Sequence, residues 1–239
     1  MERFFAKINS NNVALSENDK HHLLNVMRAK KGDKVEIVDE GDLYLAEIDS
    51  LDPFSLKLLN EINRPTELNV KLVLAFSLLK GGHDELVLMK GTELGVNTFI
   101  PFISERTIIR LDKKEREKRL ERFRKIVSGA ASQSKRLVEP EVLPIMDYGE
   151  ILKYQATKRY LAYENVSSES FNLPQELNSL EKGDSALFLI GPEGGFSPKE
   201  AMKAKDEGFS FVSLGKRILR AETASIYLAS VFSFVEENK

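Results

Sequence analysis

The chain contains no cysteine. That single absence excludes disulfides, zinc–thiolate centres and cysteine nucleophiles. Histidine is nearly as scarce: only His21, His22 and His83 occur, and no HExxH spacing joins them, so a histidine-built metal site is not expected. No apolar run approaches membrane length, and the first residues hold no hydrophobic signal core. The expectation is a soluble, cytoplasmic protein that uses no metal and no membrane. Asn165-Val166-Ser167 has the form of a glycosylation sequon, which a cytoplasmic chain would leave unmodified. An excess of one charge is also missing, with 35 basic against 37 acidic residues and a net charge of −2. Any binding to nucleic acid therefore rests on local basic patches and not on the field of a polycation. The chain lacks GxxxxGK[ST], GxGxxG and GxSxG, which removes the P-loop, the dinucleotide fingerprint and the hydrolase elbow. It has no internal repeat and no low-complexity segment.

What is present is concentrated in residues 185–225. A short apolar run, Ala186-Leu187-Phe188-Leu189-Ile190, reads as a buried strand. It ends in Gly191-Pro192-Glu193-Gly194-Gly195-Phe196, a turn cluster. Ser197-Pro198-Lys199-Glu200 then reads as a helix start, with Ser as cap, Pro at the first position and Glu closing a capping box. A second apolar patch, residues 209–214, leads into Gly215-Lys216-Arg217-Ile218-Leu219-Arg220, and a helix from about Ala221 closes the chain. Strand, glycine loop, helix, strand, glycine loop, helix is an α/β pattern, and ligands of such sheets bind beyond the carboxyl ends of the strands. Glycine there lets the backbone approach a ligand closely; ordinary turn punctuation is the alternative reading. Such loops offer main-chain donors and acceptors beside Leu189, Ile190, Leu214, Ile218 and Leu219, a combination suited to an adenosine-containing ligand.

The rest of the chain falls into two parts. Residues 1–6 read as a short extended start, 18–28 as a helix and 30–33 as a turn. Residues 35–38, 44–48 and 55–59 read as strands, the first two joined by a hairpin connection at 39–42. Several short strands with turns between them suggest a small β-barrel. Asn63-Arg64-Pro65-Thr66 reads as a linker, giving an N-terminal domain at 1–67 and a second domain at 68–239. In the second, residues 70–78 form a strong strand, Gly81-Gly82 break the chain, 83–94 form a helix stopped by Gly95, and 98–102 form the next strand. This alternation implies a parallel sheet with helical crossovers. Residues 112–135 predict a long charged helix whose Leu120, Phe123, Val127 and Ala130 or Ala131 face a core. Residues 159–163 predict a strand, and 165–181 a polar, irregular surface loop. The last helix carries Tyr227, Val231 and Phe234 on one face, with Ile226 and Leu228 elsewhere. That is more apolar surface than one buried face requires, which hints at a partner helix.

The paired segments Ile190-Gly191-Pro192-Glu193-Gly194-Gly195-Phe196-Ser197 and Leu214-Gly215-Lys216-Arg217-Ile218-Leu219-Arg220-Ala221-Glu222-Thr223-Ala224 resemble the signature of the RsmE family. These are SPOUT-class methyltransferases that modify N3 of a uridine in 16S ribosomal RNA. The resemblance extends to Arg3-Phe4-Phe5, to residues 22–28, to Lys31-Gly32-Asp33, to residues 90–96, to Ser104-Glu105-Arg106-Thr107 and to residues 130–136. Gly91 stands where the family more often has Ala, and Gly129 and Ser132 where it commonly has Glu.

The resemblance implies a C-terminal SPOUT domain, trefoil-knotted around a mostly parallel sheet, and an N-terminal PUA-like barrel that binds RNA. It implies S-adenosylmethionine as cofactor, surrounded by Ile190, Gly191, Gly195, Leu214, Ile218, Leu219 and Arg220. It implies a homodimer acting on 16S rRNA within the small ribosomal subunit. Arg3, His22, Arg28, Lys30 and Lys31 would then meet RNA, as would Arg106, Gln133 and Arg136. For each of these the alternative is a structural role: a solvated turn residue, a satisfied histidine or, for Arg106, a salt bridge to Glu93 or Glu105. Uridine N3 carries a proton that must leave, so a carboxylate or a cation that stabilises the anion is required. Glu193, Arg220 and Glu222 are the candidates beside the loops; Glu222 also suits the first turn of a helix on dipole grounds alone. Two other readings remain open: a SPOUT enzyme acting on a different RNA, and a non-catalytic RNA-binding factor of ribosome assembly.

Overall fold

The computed structural model describes residues 1–9, 12–164 and 173–239. The sequon and the start of the segment expected to be irregular lie outside them. The chain divides into two compact units, residues 1–67 with 131–139, and residues 68–130 with 140–239.

The first unit is β-rich. Its elements are β1 (Arg3–Phe5), β2 (Lys7–Asn9), β3 (Asn12–Ala14), α1 (Glu17–His21), a π-helical turn at His22–Val26, β4 (Lys34–Asp39), β5 (Asp42–Leu51) and β6 (Phe54–Ile62). Four strands hydrogen-bond in the order β1-β4-β5-β6, and β2 pairs with β3 alone. Among the described residues the strands thus form two sheets around one core of Phe4, Val13, Leu23, Ile37, Ile48 and their neighbours. The β4–β5 turn follows from its residues: Glu40 and Gly41 both have positive φ, 51° and 96°, the conformation of a two-residue hairpin turn that matches strand twist. The β2–β3 hairpin is absent from the sequence reading, because three-residue strands carry too few positions to show alternation.

The second unit is a parallel α/β structure. It contains β7 (Lys71–Ser77), α2 (His83–Glu93), β8 (Thr98–Ile103), α3 (Lys113–Gln133), β9 (Glu141–Val142), β10 (Met146–Asp147), α4 (Tyr148–Ile151) and β11 (Lys158–Ala162). There follow α5 (Leu173–Asn178), β12 (Ser185–Ile190), α6 (Pro198–Asp206), β13 (Ser210–Val212) and α7 (Ala221–Glu237). The last residues of α3 belong to the first unit. The sheet order is β10-β8-β7-β12-β11-β13, with β9 also paired to β8, and every pairing is parallel. Central strands of such sheets are covered on both faces and read as continuous apolar runs. In β7, Leu72, Leu74 and Phe76 enter one core with Phe123, Phe188, Leu228 and Phe232. Val73 and Ala75 enter the other, with Ile100, Phe102, Leu187 and Leu189.

Two expectations need correction. Residues 173–178, expected to be irregular, form α5, because Leu173 and Leu177 are buried one turn apart. The core face of α7 is Ala221, Ala224, Ser225, Leu228 and Phe232, so Leu228 is buried and not on the helix surface. Tyr227 and Phe234 are 46% and 68% exposed. The departure at Gly91 also finds a reason: a Cβ there would lie 2.7 Å from the Phe99 ring.

Candidate active site

All strands of the second unit are parallel, so their carboxyl ends share one edge of the sheet. Because β7, β12, β11 and β13 are consecutive neighbours, the segments that follow them converge there. They enclose a cavity of about 610 Å³. Lys80, Gly81 and His83 come from the β7 side, Ala162 to Glu164 from β11, residues 190–193 with 195 and 196 from β12, and residues 212–222 with 224 from β13 and the start of α7.

The loop after β12 is pinned at its base. Phe196 stacks on Phe102 at 6.2 Å with ring planes 3° apart, and lies 5.8 Å from Tyr148. Burial pushes the Tyr148 phenol up, and its hydroxyl donates to the Glu200 carbonyl at 2.8 Å. The capping box forms as the residues predict: Ser197 Oγ accepts from Glu200 N at 3.2 Å, and Glu200 Oε2 accepts from Ser197 N at 2.9 Å. The turn after β8 braces this loop. Glu105 Oε2 accepts from Ser197 Oγ at 2.8 Å, and Arg106 donates to the Gly194 carbonyl at 2.9 Å. That turn is itself fixed by the buried Ser77, Ser104 and Thr107 hydroxyls, 2.7 to 2.9 Å apart. A Cβ at Gly191 would come within 3.1 Å of the Phe196 ring and 3.3 Å of the Gly195 carbonyl carbon, so the loop closes on itself and presents main chain to the cavity. Gly195 and Gly215 turn with φ of +65° and +112°, which side chains rarely adopt.

Every residue expected around a cofactor lines this cavity: Ile190, Gly191, Gly195, Leu214, Ile218, Leu219 and Arg220. Ile218 is 86% exposed, an apolar side chain on the rim with nothing over it. The three candidates for chemistry, Glu193, Arg220 and Glu222, also line it. Glu193 Oε1 accepts from the Lys80 N–H at 3.2 Å. Arg220 caps α7 through its carbonyl, which accepts from Ala224 N at 2.8 Å, and its side chain is exposed. Glu222 Oε1 lies 3.5 Å from Nδ1 of His83. His83 and Lys80 are site residues that sequence reasoning missed. Lys80-Gly81-Gly82 and the strand before it were the only signal, a second glycine break at the end of a buried strand.

The residues expected to meet RNA divide sharply. Arg3 is 1% exposed; its Nε donates to Glu36 at 2.9 Å and its Nη1 donates to the Lys135 and Arg136 carbonyls. Arg136 is 4% exposed and pairs with Glu67, with Nη2 at 2.5 Å from Oε2. Both are corrected to structural roles, because a buried, paired guanidinium cannot reach a phosphate. Burial pushes the Glu67 carboxyl up, but the Arg136 hydrogen bond and charge, with the Leu137 and Val138 N–H groups, outweigh it and hold Glu67 below its ordinary range. His22, Arg28, Lys30 and Lys31 are exposed on the first unit, as is Gln133. Arg106 is exposed and makes neither of the two anticipated salt bridges; it holds the Gly194 carbonyl instead. Among the described residues no group of three His, Asp or Glu side chains is placed to hold a metal ion, and no helix is long and apolar enough to cross a membrane.

Comparison with known proteins agrees with this geometry. The RNA methyltransferase domain family matches residues 66–233, and the RNA methyltransferase PUA domain family matches residues 15–58. The chain is 34% identical to the ribosomal RNA small subunit methyltransferase E of Bacillus subtilis, covering 99% of this chain and 98% of that one. It is 34% identical to the protein of the same name from Synechocystis, covering 94% and 74%. The crystal structure of a ribosomal RNA small subunit methyltransferase E from Neisseria gonorrhoeae, bound to S-adenosyl methionine, superposes with a TM-score of 0.84 at 33% identity, covering 96% of both chains.

Proposed function

Because the chain belongs to the RNA methyltransferase family that includes the ribosomal RNA small subunit methyltransferases E, we propose that it methylates N3 of a uridine in 16S rRNA. At the coarser level it is an S-adenosylmethionine-dependent methyltransferase of small-subunit ribosomal RNA. The observation that carries the reading is the convergence of both glycine loops on one cavity, with apolar walls and exposed main chain. Its volume lies in the range of small-molecule sites, and Gly191 and Gly195 line it without side chains. These features fit S-adenosylmethionine. Ile190, Leu214 and Leu219 would pack against its adenine, and the main chain of 191–195 and 215–219 would bind its polar edges. Bound there, the cofactor supplies a methyl group already activated by a sulfonium.

The protein's own task is then to position donor and acceptor. Arg220, an exposed cation on the cavity wall, stabilises the negative charge that develops on the uracil as its proton leaves. Glu193 and Glu222 add carboxylates on the same wall. His22, Arg28, Lys30 and Lys31 supply the phosphate contacts that orient the RNA. Tyr227 and Phe234, apolar and exposed on α7, support a homodimer formed through that helix. Work on ribosomal RNA supports a cytoplasmic location.

The test is transfer of a labelled methyl group to undermethylated small ribosomal subunits, with the product nucleoside identified by mass spectrometry. N3-methyluridine is the expected product. Transfer to another RNA, or to a ribose, would overturn the N3 assignment and keep the class of enzyme.

A further inference from the structure

We infer that His83 is the group that takes the proton from uridine N3, and that Glu222 is the residue that positions it. This rests on the reading of the cavity as a uridine-N3 methyltransferase site. His83 opens α2 and lines the cavity from the β7 side, while Glu222 lies in the first turn of α7. Their side chains meet with Nδ1 3.5 Å from Oε1. The Glu222 side chain is 12% exposed and that of His83 is 44% exposed. So the carboxylate is the inner partner and the imidazole the outer, more accessible one.

A carboxylate beside Nδ1 favours the tautomer that carries its proton on that nitrogen and leaves the lone pair on Nε2. Nε2 lies near Gly81, where an added Cβ would come within 3.6 Å of it and within 3.4 Å of Cδ2, and both residues line the cavity. A neutral imidazole can accept the imide proton through Nε2 as a general base. The other ionisable groups on the wall are the carboxylates Glu164 and Glu193, the phenol of Tyr163, and the cations Lys80, Lys216, Arg217 and Arg220. Asp84 and Glu85 follow His83 on α2, but Asp84 is committed to Arg119 and Glu85 to Arg122. Glu193 is held by the Lys80 N–H, which leaves Glu222 as the carboxylate paired with a base.

The step balances as follows. The N3–H bond breaks and its proton passes to Nε2, giving an imidazolium paired with Glu222. The electron pair left on N3 forms the bond to the methyl carbon. The sulfur–methyl bond breaks and its pair stays on sulfur, leaving a neutral thioether. The imidazolium then returns its proton to water.

The test joins kinetics with a measurement that needs neither substrate. Single-turnover methyl transfer to undermethylated small subunits is followed against pH for the wild type and for His83→Gln. The variant is expected to lose about 100-fold in rate and to lose one ionisation from the pH–rate profile. Its affinity for S-adenosylmethionine, read by calorimetry, is expected to stay within about twofold, which also shows that it folds. In the protein alone, nitrogen NMR of the His83 ring is expected to report the Nδ1–H tautomer, and Glu222→Ala to shift it toward Nε2–H. An active wild type with an equally active His83→Gln would overturn the proposal and leave the methyltransferase reading standing. A tautomer unmoved in Glu222→Ala would overturn the positioning role. A wild type that forms no N3-methyluridine would overturn the reading of the site, and the proposal with it.

Discussion

Two sets of arginines, one from each unit, are used in opposite ways. In the first, Arg3 and Arg136 are buried, and each is matched to a carboxylate, Glu36 and Glu67. In the second, Arg106, Arg217 and Arg220 stand exposed on or beside glycine loops. The difference teaches that a basic residue within a family motif has two distinct reasons to be there. Arg3 and Arg136 tie the N-terminal strand and the 131–139 segment into one body, since Arg3 donates to the carbonyls of Lys135 and Arg136. Arg220 makes its structural contribution through its backbone, and its side chain is exposed.

The contrast is broken most directly at Arg220. Arg220→Ala should lower methyl transfer about 1,000-fold with the melting temperature unchanged, as read by single-turnover assay and calorimetry. Arg3→Ala should do the reverse. It leaves the buried Glu36 with only the more distant Arg64 and Lys135, each at 3.9 Å, and should destabilise the first unit by about 3 kcal/mol, seen in denaturant unfolding. Gly91→Ala, which restores the commoner family residue, should also destabilise, by about 1 to 2 kcal/mol, because the new methyl presses on Phe99. Paired with Phe99→Leu, the loss should shrink.

Glu67→Gln sharpens the comparison through pH. The folded-state pKa of Glu67 is lowered from its ordinary value of 4.5. The stability it contributes is therefore complete above that value and is lost as pH falls through the lower, folded one. The variant should be less stable than the wild type by about 1 kcal/mol at neutral pH, and the gap should close in strong acid. The smallest effect is expected at Arg106→Ala, an exposed contact to one carbonyl. It should change stability by less than about 0.5 kcal/mol and weaken cofactor binding only through a looser Gly194 turn.

Much of the fold could be read from the chain, for reasons visible in particular residues. The strands β7 and β12 are unbroken apolar runs, since both faces are covered. Ser197-Pro198-Lys199-Glu200 spells out its own cap, because that hydrogen-bond pair is local. Short elements stayed hidden. The strands β9 and β10 have two residues each, and α4 has four, too few for any period to show. The exposed face of α7 was read as an apolar stripe, but which stripe faces the core was not, because Leu228 and Phe232 differ from Tyr227 and Phe234 only in what lies opposite them.

By itself the sequence determined the parallel α/β class, the two glycine loops and the residues that line them. Each of those depends on neighbours within a few positions along the chain. Only the tertiary structure decided which charges are sealed in pairs and which face the cavity. It also brought His83 to Glu222, because the sheet order lets α7 pack against both β7 and α2. Strand order is fixed by burial of the whole sheet, a property of the folded chain that no local stretch carries.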